Sequence, residues 1–251
     1  EADALVAERV WQELAKGLME KNPRRMIEVL CECGALKVLL PEFDALFGVP
    51  QRADYHPEID SGIHTLMVVQ RAAEMNLSLA ERYAALLHDL GKAKTPADIL
   101  PKHYGHDVNG VEPVREVNQR LRTPKHCAEL AELVCRWHIM LHQVGQFKSK
   151  TILNVLKKTD AFRRPERFQM ALNVCVADKQ GRLNLEDAPY PQREHWLALL
   201  EAANQVDAGK IAAECRVQGK AHLIAEQIDH ARLAQITPLQ KAYQAEKVGG
   251  Y

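Results

Sequence analysis

The sequence predicts an all-α fold, and three observations carry that reading. Apolar residues recur at three- and four-residue spacing in one window after another. Breaks such as Asn22-Pro23, Gly34 and Pro41 separate those windows, and no segment alternates apolar and polar residues over a useful strand length. With 251 residues the chain fits one large domain, or a domain with appendages, and can bury a substantial core.

The elements follow in order. Val10, Trp11, Leu14, Leu18 and Met19 predict a helix over about 7–20, ended by Asn22-Pro23. A second helix spans Arg24 to Glu32 before Gly34, and Leu36 to Leu40 runs into Pro41. This opening of about fifty residues is a helical layer whose apolar stripes need a partner surface. Asp60 or Ser61 can cap the next helix, which runs to about Met75 and carries His64 in its first turn. A helix from Leu79 to Leu90 then delivers His88 and Asp89 side by side, with Gly91 placed to stop it. From Lys92 to Val108 the chain is irregular and polar, with Pro96, Pro101, His103 and His106, and such a loop makes a natural site rim.

From about Pro124 to His142 the 3.6-residue period puts Cys127, Leu130, Ala131, Val134, His138 and Leu141 on one face. His138 therefore points with the core-facing stripe, where a lone histidine is more often a hydrogen-bonded structural residue than a ligand. Between Lys148 and Arg167 seven basic residues meet only Asp160 and Glu166. Lys157, Lys158, Arg163 and Arg164 in that stretch could hold a phosphate backbone, although a solvated charged face is the commoner outcome. A helix from Pro165 carries Phe168, Ala171, Leu172 and Cys175 and reaches Asp178 just before Gly181. A carboxylate there opposes the helix dipole and calls for a nearby cation. Pro191 to Tyr251 reads as two or three amphipathic helices around Trp196, Leu199, Leu200, Ile211, Leu223 and Ile228, with a frayed end at Lys247 to Tyr251.

The bulk numbers exclude some classes. Lys plus Arg equals Asp plus Glu at 33 each, so no global field attracts nucleic acid and any such binding must be local. Six scattered cysteines without a C-x-x-C pair read as buried thiols of a reducing compartment. No apolar run approaches the roughly 18 to 20 residues that span a bilayer, and no signal peptide precedes the first helix. The expectation is a cytoplasmic protein without membrane contact.

The pair His88-Asp89 is the candidate centre. Neutral imidazole and carboxylate suit a divalent ion, and neighbours at a helix end can converge on one. The dipeptide alone is a weak signal, because His106-Asp107 is a second one. Its setting is more specific. The order His64, His88-Asp89, Asp178 resembles the HD superfamily of metal-dependent phosphohydrolases, whose signature is a His, a His-Asp pair and a distant Asp holding one ion in an all-helical core. Adding His106 and His138 gives an order similar to the two-metal branch of that superfamily.

A longer resemblance covers nearly the whole chain. Leu40-Pro41-Glu42-Phe43-Asp44, His56-Pro57-Glu58-Ile59-Asp60-Ser61-Gly62-Ile63-His64, Leu87-His88-Asp89-Leu90-Gly91-Lys92, Asp160-Ala161-Phe162-Arg163-Arg164-Pro165 and Ala177-Asp178-Lys179-Gln180-Gly181-Arg182 resemble the C-terminal part of bacterial tRNA nucleotidyltransferases, the CCA-adding enzymes. The resemblance implies an HD-domain helical bundle over 55–188, flanked by a neck at 1–54 and a helical tail at 189–251. The Asp-x-Asp pair and the Arg-Arg-x-x-x-x-Asn-Ala segment of that family's polymerising head do not occur here. The head is expected to be missing at the N-terminal side, and no CCA addition is expected from this chain alone.

What the resemblance implies instead is 2',3'-cyclic phosphodiesterase, 2'-nucleotidase and phosphatase activity with tRNA as partner. His64, His88, Asp89 and Asp178 would hold a divalent metal, with His88, Asp89 and Lys92 as the catalytic group. Lys92 would hold a phosphate oxygen as a point charge. If a second ion binds, Asp89 bridges and His106 and His138 complete its shell. Nitrogen and oxygen donors without thiolate suit nickel, manganese, cobalt or magnesium. Two other readings stay open: a body that mainly binds tRNA, and a module that forms a homodimer through Val10, Trp11 and Leu14.

Overall fold

The computed structural model describes residues 6–54 and 56–248. The expected frayed end at Gly249 to Tyr251 lies outside the described residues. Among the described residues there is no strand, only an isolated antiparallel bridge between Pro50 and Asp60. The fold is all-α. No helix among the described residues is long and apolar enough to cross a membrane. Contacts divide the chain into two compact units, Glu1–Ile139 with Met170–Tyr190, and Met140–Gln169 with Pro191–Tyr251.

The first unit opens with α1 (Ala7–Leu18) and α2 (Pro23–Glu32), followed by the short α3 (Leu36–Leu39) and α4 (Pro41–Asp44). Trp11, Leu14 and Leu18 form the buried stripe of α1. Trp11 meets Tyr83 edge-on at 5.0 Å, an arrangement that uses the ring quadrupole. Trp11 and Leu14 are thus engaged inside the chain, and the proposed self-association face loses its two main apolar residues. Asn22 caps α2 by accepting from the Arg25 N–H, with Pro23 at the first helical position.

Asp60 caps α5 (Ser61–Glu74), its Oδ1 accepting from Ile63 N at 2.9 Å. Ser78 and Glu81 form a reciprocal capping box at the start of α6 (Leu79–Leu87). The helix is shorter than the expected Leu79 to Leu90. It stops with His88 as its C-cap, and a 3-10 turn takes over from Leu90 to Lys94. Gly91 is pressed against the backbone there, where a Cβ would lie 1.9 Å from the His106 carbonyl oxygen and 2.7 Å from Gly110 N. Any side chain would force that junction apart.

The irregular stretch after Lys94 contains α7 (His106–Asn109). Next comes α8 (Val111–Leu121), an element that the apolar pattern does not announce, because Pro113 interrupts it. The proline is tolerated since first-turn amides have no intrahelical acceptor. α9 (Lys125–His142) follows, and α10 (Ser149–Lys158) and α11 (Pro165–Gln180) lie beyond it.

The second unit holds α10, α12 (Gln192–Asn204), α13 (Ala208–Val217) and α14 (Ile224–Val248). Trp196 is fully buried and its indole N–H donates to Leu141 O at 2.9 Å. Gln240 of α14 donates to Val144 O and Phe147 O, tying down the turn after α9. The cysteine expectation is corrected in part. Cys127, Cys135, Cys175 and Cys215 are buried, whereas Cys31 and Cys33 are exposed on the outer face and end of α2.

Candidate metal centre

Six elements of the first unit aim their side chains at one point. α5 supplies His64 from its first turn, the end of α6 supplies His88 and then Asp89, and the 3-10 turn supplies Lys92. α7 supplies His106 as its first residue, and α9 and α11 supply His138 and Asp178. His64, His88 and Asp89 are at most 1% exposed, and Lys92 is 5% exposed.

Asp89 sits at the middle. Its Oδ2 lies 3.2 Å from His88 Nε2, 2.5 Å from Lys92 Nζ and 3.9 Å from His64 Nε2. Its Oδ1 lies 3.2 Å from His106 Nε2 and 3.5 Å from His138 Nε2. The carboxylate therefore turns one oxygen to each of two imidazole groups. Asp178 Oδ1 is 3.0 Å from His64 Nε2 and 3.3 Å from the Arg182 guanidinium, which answers the electrostatic oddity of a carboxylate in the last turn of α11. Lys92 also donates to Gln51 Oε1 at 2.5 Å, so its ammonium is enclosed and shared between an amide and Asp89.

The hydrogen bonds fix which ring nitrogens carry protons. Carbonyl oxygens only accept, so an imidazole nitrogen facing one must donate. His88 Nδ1 faces Ala85 O at 2.8 Å, His106 Nδ1 faces His103 O at 2.7 Å, and His138 Nδ1 faces Val134 O and Cys135 O at 3.1 and 3.0 Å. In the neutral rings the Nε2 atoms then present lone pairs. His106 Nε2 and His138 Nε2 are 3.2 Å apart, and both look at Asp89 Oδ1. Between neutral rings these three acceptors have no proton to share, so the cluster calls for added positive charge, from a metal ion or a proton. His88 Nε2 and Asp89 Oδ1 are buried with no hydrogen-bond partner among the described residues.

The ionisation trends express the same demand. Burial opposes charge on Asp89, but His88 and Lys92 beside it outweigh that and hold its carboxyl well below the usual range. Burial likewise opposes a charged His88, and the Asp89 carboxylate overrides it and raises the pKa. A proton on His88 and a metal ion are alternative ways to supply the missing positive charge. Burial dominates at His138 and pushes it down to about 4.

Two donor groups share Asp89, His64 with His88 and Asp89, and Asp89 with His106 and His138, and the ligand atoms in each lie within 4.8 Å of one another; His56, Glu58 and His64 form a third such cluster. Their mixed nitrogen and oxygen character fits a borderline divalent ion. All six expected metal residues and Lys92 are thus brought together. Lys157, Lys158, Arg163 and Arg164 belong to the second unit and are exposed. Lys157 pairs with Asp229 at 2.6 Å and Arg163 with Asp160 at 2.6 Å.

A model of the HD domain family matches residues 62–179, an interval that holds all six of the expected metal residues. Over those residues the chain is similar to the HD domain family. A second model, for a probable RNA- and SrmB-binding site of polymerase A, matches residues 4–47, ahead of the HD domain. The whole chain is 86% identical over 245 residues to a multifunctional CCA protein of Neisseria meningitidis serogroup C, covering 98% of this chain and 59% of that protein. Similar proteins of the same name occur in Dechloromonas aromatica, at 53% identity over 95% of this chain and 57% of the relative, and in Chromobacterium violaceum, at 52% over 98% and 60%. The chain thus spans less than two thirds of the length of these relatives.

Periodicity did not reveal four residues around the HD centre: Gln51, His56, Glu58 and Arg182. Three of them lie on the loop before α5 and one on the loop after α11, where the direction of a side chain is set by tertiary contacts and not by a repeat. Glu58 Oε1 lies 2.8 Å from His64 Nδ1 and 3.1 Å from His56 Nδ1. Burial opposes its charge, yet those two rings hold its carboxyl well below the usual carboxylate range.

Proposed function

We propose that the HD domain is a metal-dependent phosphohydrolase that works on 2',3'-cyclic and 2'-phosphate esters and, less selectively, as a phosphatase. The observation that supports this most is Asp89, whose two oxygens each face a separate set of proton-free imidazole nitrogens. His64, His88, Asp89 and Asp178 would hold one divalent ion, and Asp89, His106 and His138 a second; nickel, manganese, cobalt and magnesium all suit such donors. When bound, such an ion lowers the pKa of water and draws charge from a phosphoryl group.

The chain's own residues do the rest. The backbone carbonyls behind His88, His106 and His138 fix the rings so that Nε2 faces inward without reorganisation. Lys92 keeps a compact positive charge beside Asp89, where a phosphate oxygen could take over from Gln51 as its partner. Exclusion of water from these groups strengthens every one of those interactions. The test is hydrolysis of 2',3'-cyclic AMP with added metal. Wild type should turn over, and His88→Ala should lose at least about a hundredfold in rate, since a ligand is removed outright where loss of a supporting partner alone costs 10–100-fold. Equal activity in both proteins would remove this function.

In this reading the chain is the HD-bearing C-terminal part of a cytoplasmic CCA-adding enzyme, with 1–54 as neck, 55–188 as HD domain and 189–251 as tail. Its nucleotidyltransferase head would lie on the part of the relatives that the chain does not cover. A second role in holding tRNA is favoured by the polymerase RNA-binding match at residues 4–47. Arg163 and Arg164 would contribute to it. Changing both to Ala should weaken tRNA binding and lower the slope of log affinity against log salt by about 1.4 to 1.8, for two phosphate contacts at roughly 0.7 to 0.9 each. An unchanged slope would exclude these two side chains from the interface.

A further inference from the structure

We infer that Glu58 is a positioning residue that sets the donor strength of His64, so that one cation position depends on a loop carboxylate while the other depends on backbone carbonyls alone. The inference rests on the metal-dependent reading above. Three of the four inward histidines turn Nδ1 to a backbone carbonyl. His64 differs. Its Nδ1 lies 2.8 Å from Glu58 Oε1, an ion-pair distance, while its Nε2 faces Asp178 and Asp89. A carboxylate behind an imidazole fixes the tautomer and makes the opposite nitrogen a stronger donor than a carbonyl does.

The loop is built to keep Glu58 there. Its side chain is 3% exposed, and its second oxygen accepts from Leu183 N at 3.4 Å. Gln51 N donates to Ile59 O, Gly48 N donates to Asp60 Oδ2, and Ser61 donates to Val49 O, so both ends of the loop are pinned. Ile59, the next residue, has φ of 59°. A β-branched residue in the left-handed region is strained, and its surroundings must over-determine the conformation for it to persist. Here the strained turn is what directs Glu58 inward while Ile59 itself stays outside at 49% exposure. The same loop supplies Gln51 to Lys92, so it braces two members of the centre.

Cobalt(II) titration followed by calorimetry and by visible absorption tests this without relying on turnover. Wild type should take up an ion at each donor group. Glu58→Gln should weaken one of them by about 10- to 100-fold and leave the other unchanged. Glu58→Asp, which keeps the charge but shortens the reach, should recover part of the loss. Two wild-type isotherms in both Glu58 variants would overturn the inference while leaving the metal-dependent reading intact. Equal weakening of both ions would also overturn it, since that signals a general loss of structure. A wild-type protein that binds no cobalt would remove both.

Discussion

On the proposed function, Asp89→Asn is expected to leave the protein unable to load either cation position and to lower hydrolysis of 2',3'-cyclic AMP by about a thousandfold or more. The magnitude follows from several kcal/mol of charge stabilisation being lost, roughly 4, at 1.36 kcal/mol per tenfold in rate. Asparagine keeps the size and one oxygen, but its amide nitrogen now faces imidazole nitrogens that already lack a proton to receive a cation. It also leaves the ammonium of Lys92 with a neutral neighbour in place of a carboxylate at 2.5 Å. The variant differs in kind from His106→Ala, which should weaken the ion of its own group and spare that of His64 and His88. Metal uptake and turnover per folded molecule check both statements, and an Asp89→Asn protein that still loads metal and turns over would show that Asp89 is not the shared ligand.

Arg82→Met lowers the melting temperature by about 10 °C without removing the centre. Arg82 is 5% exposed and faces no carboxylate; it donates instead to Leu18 O and Glu20 O at the end of α1, to Ala73 O in the last turn of α5, and to Leu77 O. One guanidinium satisfies carbonyls that two helix ends leave without amide donors, and its charge sits where the helix dipoles favour a cation. Methionine keeps the apolar stem and abandons these acceptors. Each such bond to a charged donor contributes about 1.5–3 kcal/mol, and allowing for non-additivity the loss is about 4 kcal/mol. At 2–4 °C per kcal/mol for a chain of this size, that gives about 10 °C. A shift below about 2 °C would mean that water replaces the arginine at little cost. The folded Arg82→Met protein should bind cobalt like wild type, because none of the four acceptors touches the centre.

The sequence carried the helices wherever burial follows a period. Trp11, Leu14 and Leu18 mark α1, and Asp60 marks the start of α5 through its side-chain cap. It failed where geometry is decided elsewhere. Leu90 continues the apolar run of α6, so nothing local tells that the helix yields to a 3-10 turn. The cause is contact with the backbone of α7 and Gly110. At α8 a first-turn proline looks like a break although it satisfies a helix start.

The six residues that converge on the candidate centre were legible from their order along the chain, read through a family resemblance. Residue types alone would have offered His138 as a structural histidine, and it is indeed hydrogen-bonded to its own helix, but through the nitrogen that leaves the other one facing Asp89. Gln51 had no signal and Glu58 stood only inside a resembling string without a role, because a strained loop and not a repeat aims them.

Elemental analysis of the folded protein, equilibrated with cobalt(II) and freed of excess ion by gel filtration, asks whether the convergence on Asp89 is a metal centre. About two ions per chain should remain, one for each donor group that shares Asp89, with about none in Asp89→Asn. A wild-type chain that emerges folded and free of metal would mean that protons alone settle the charge of this cluster.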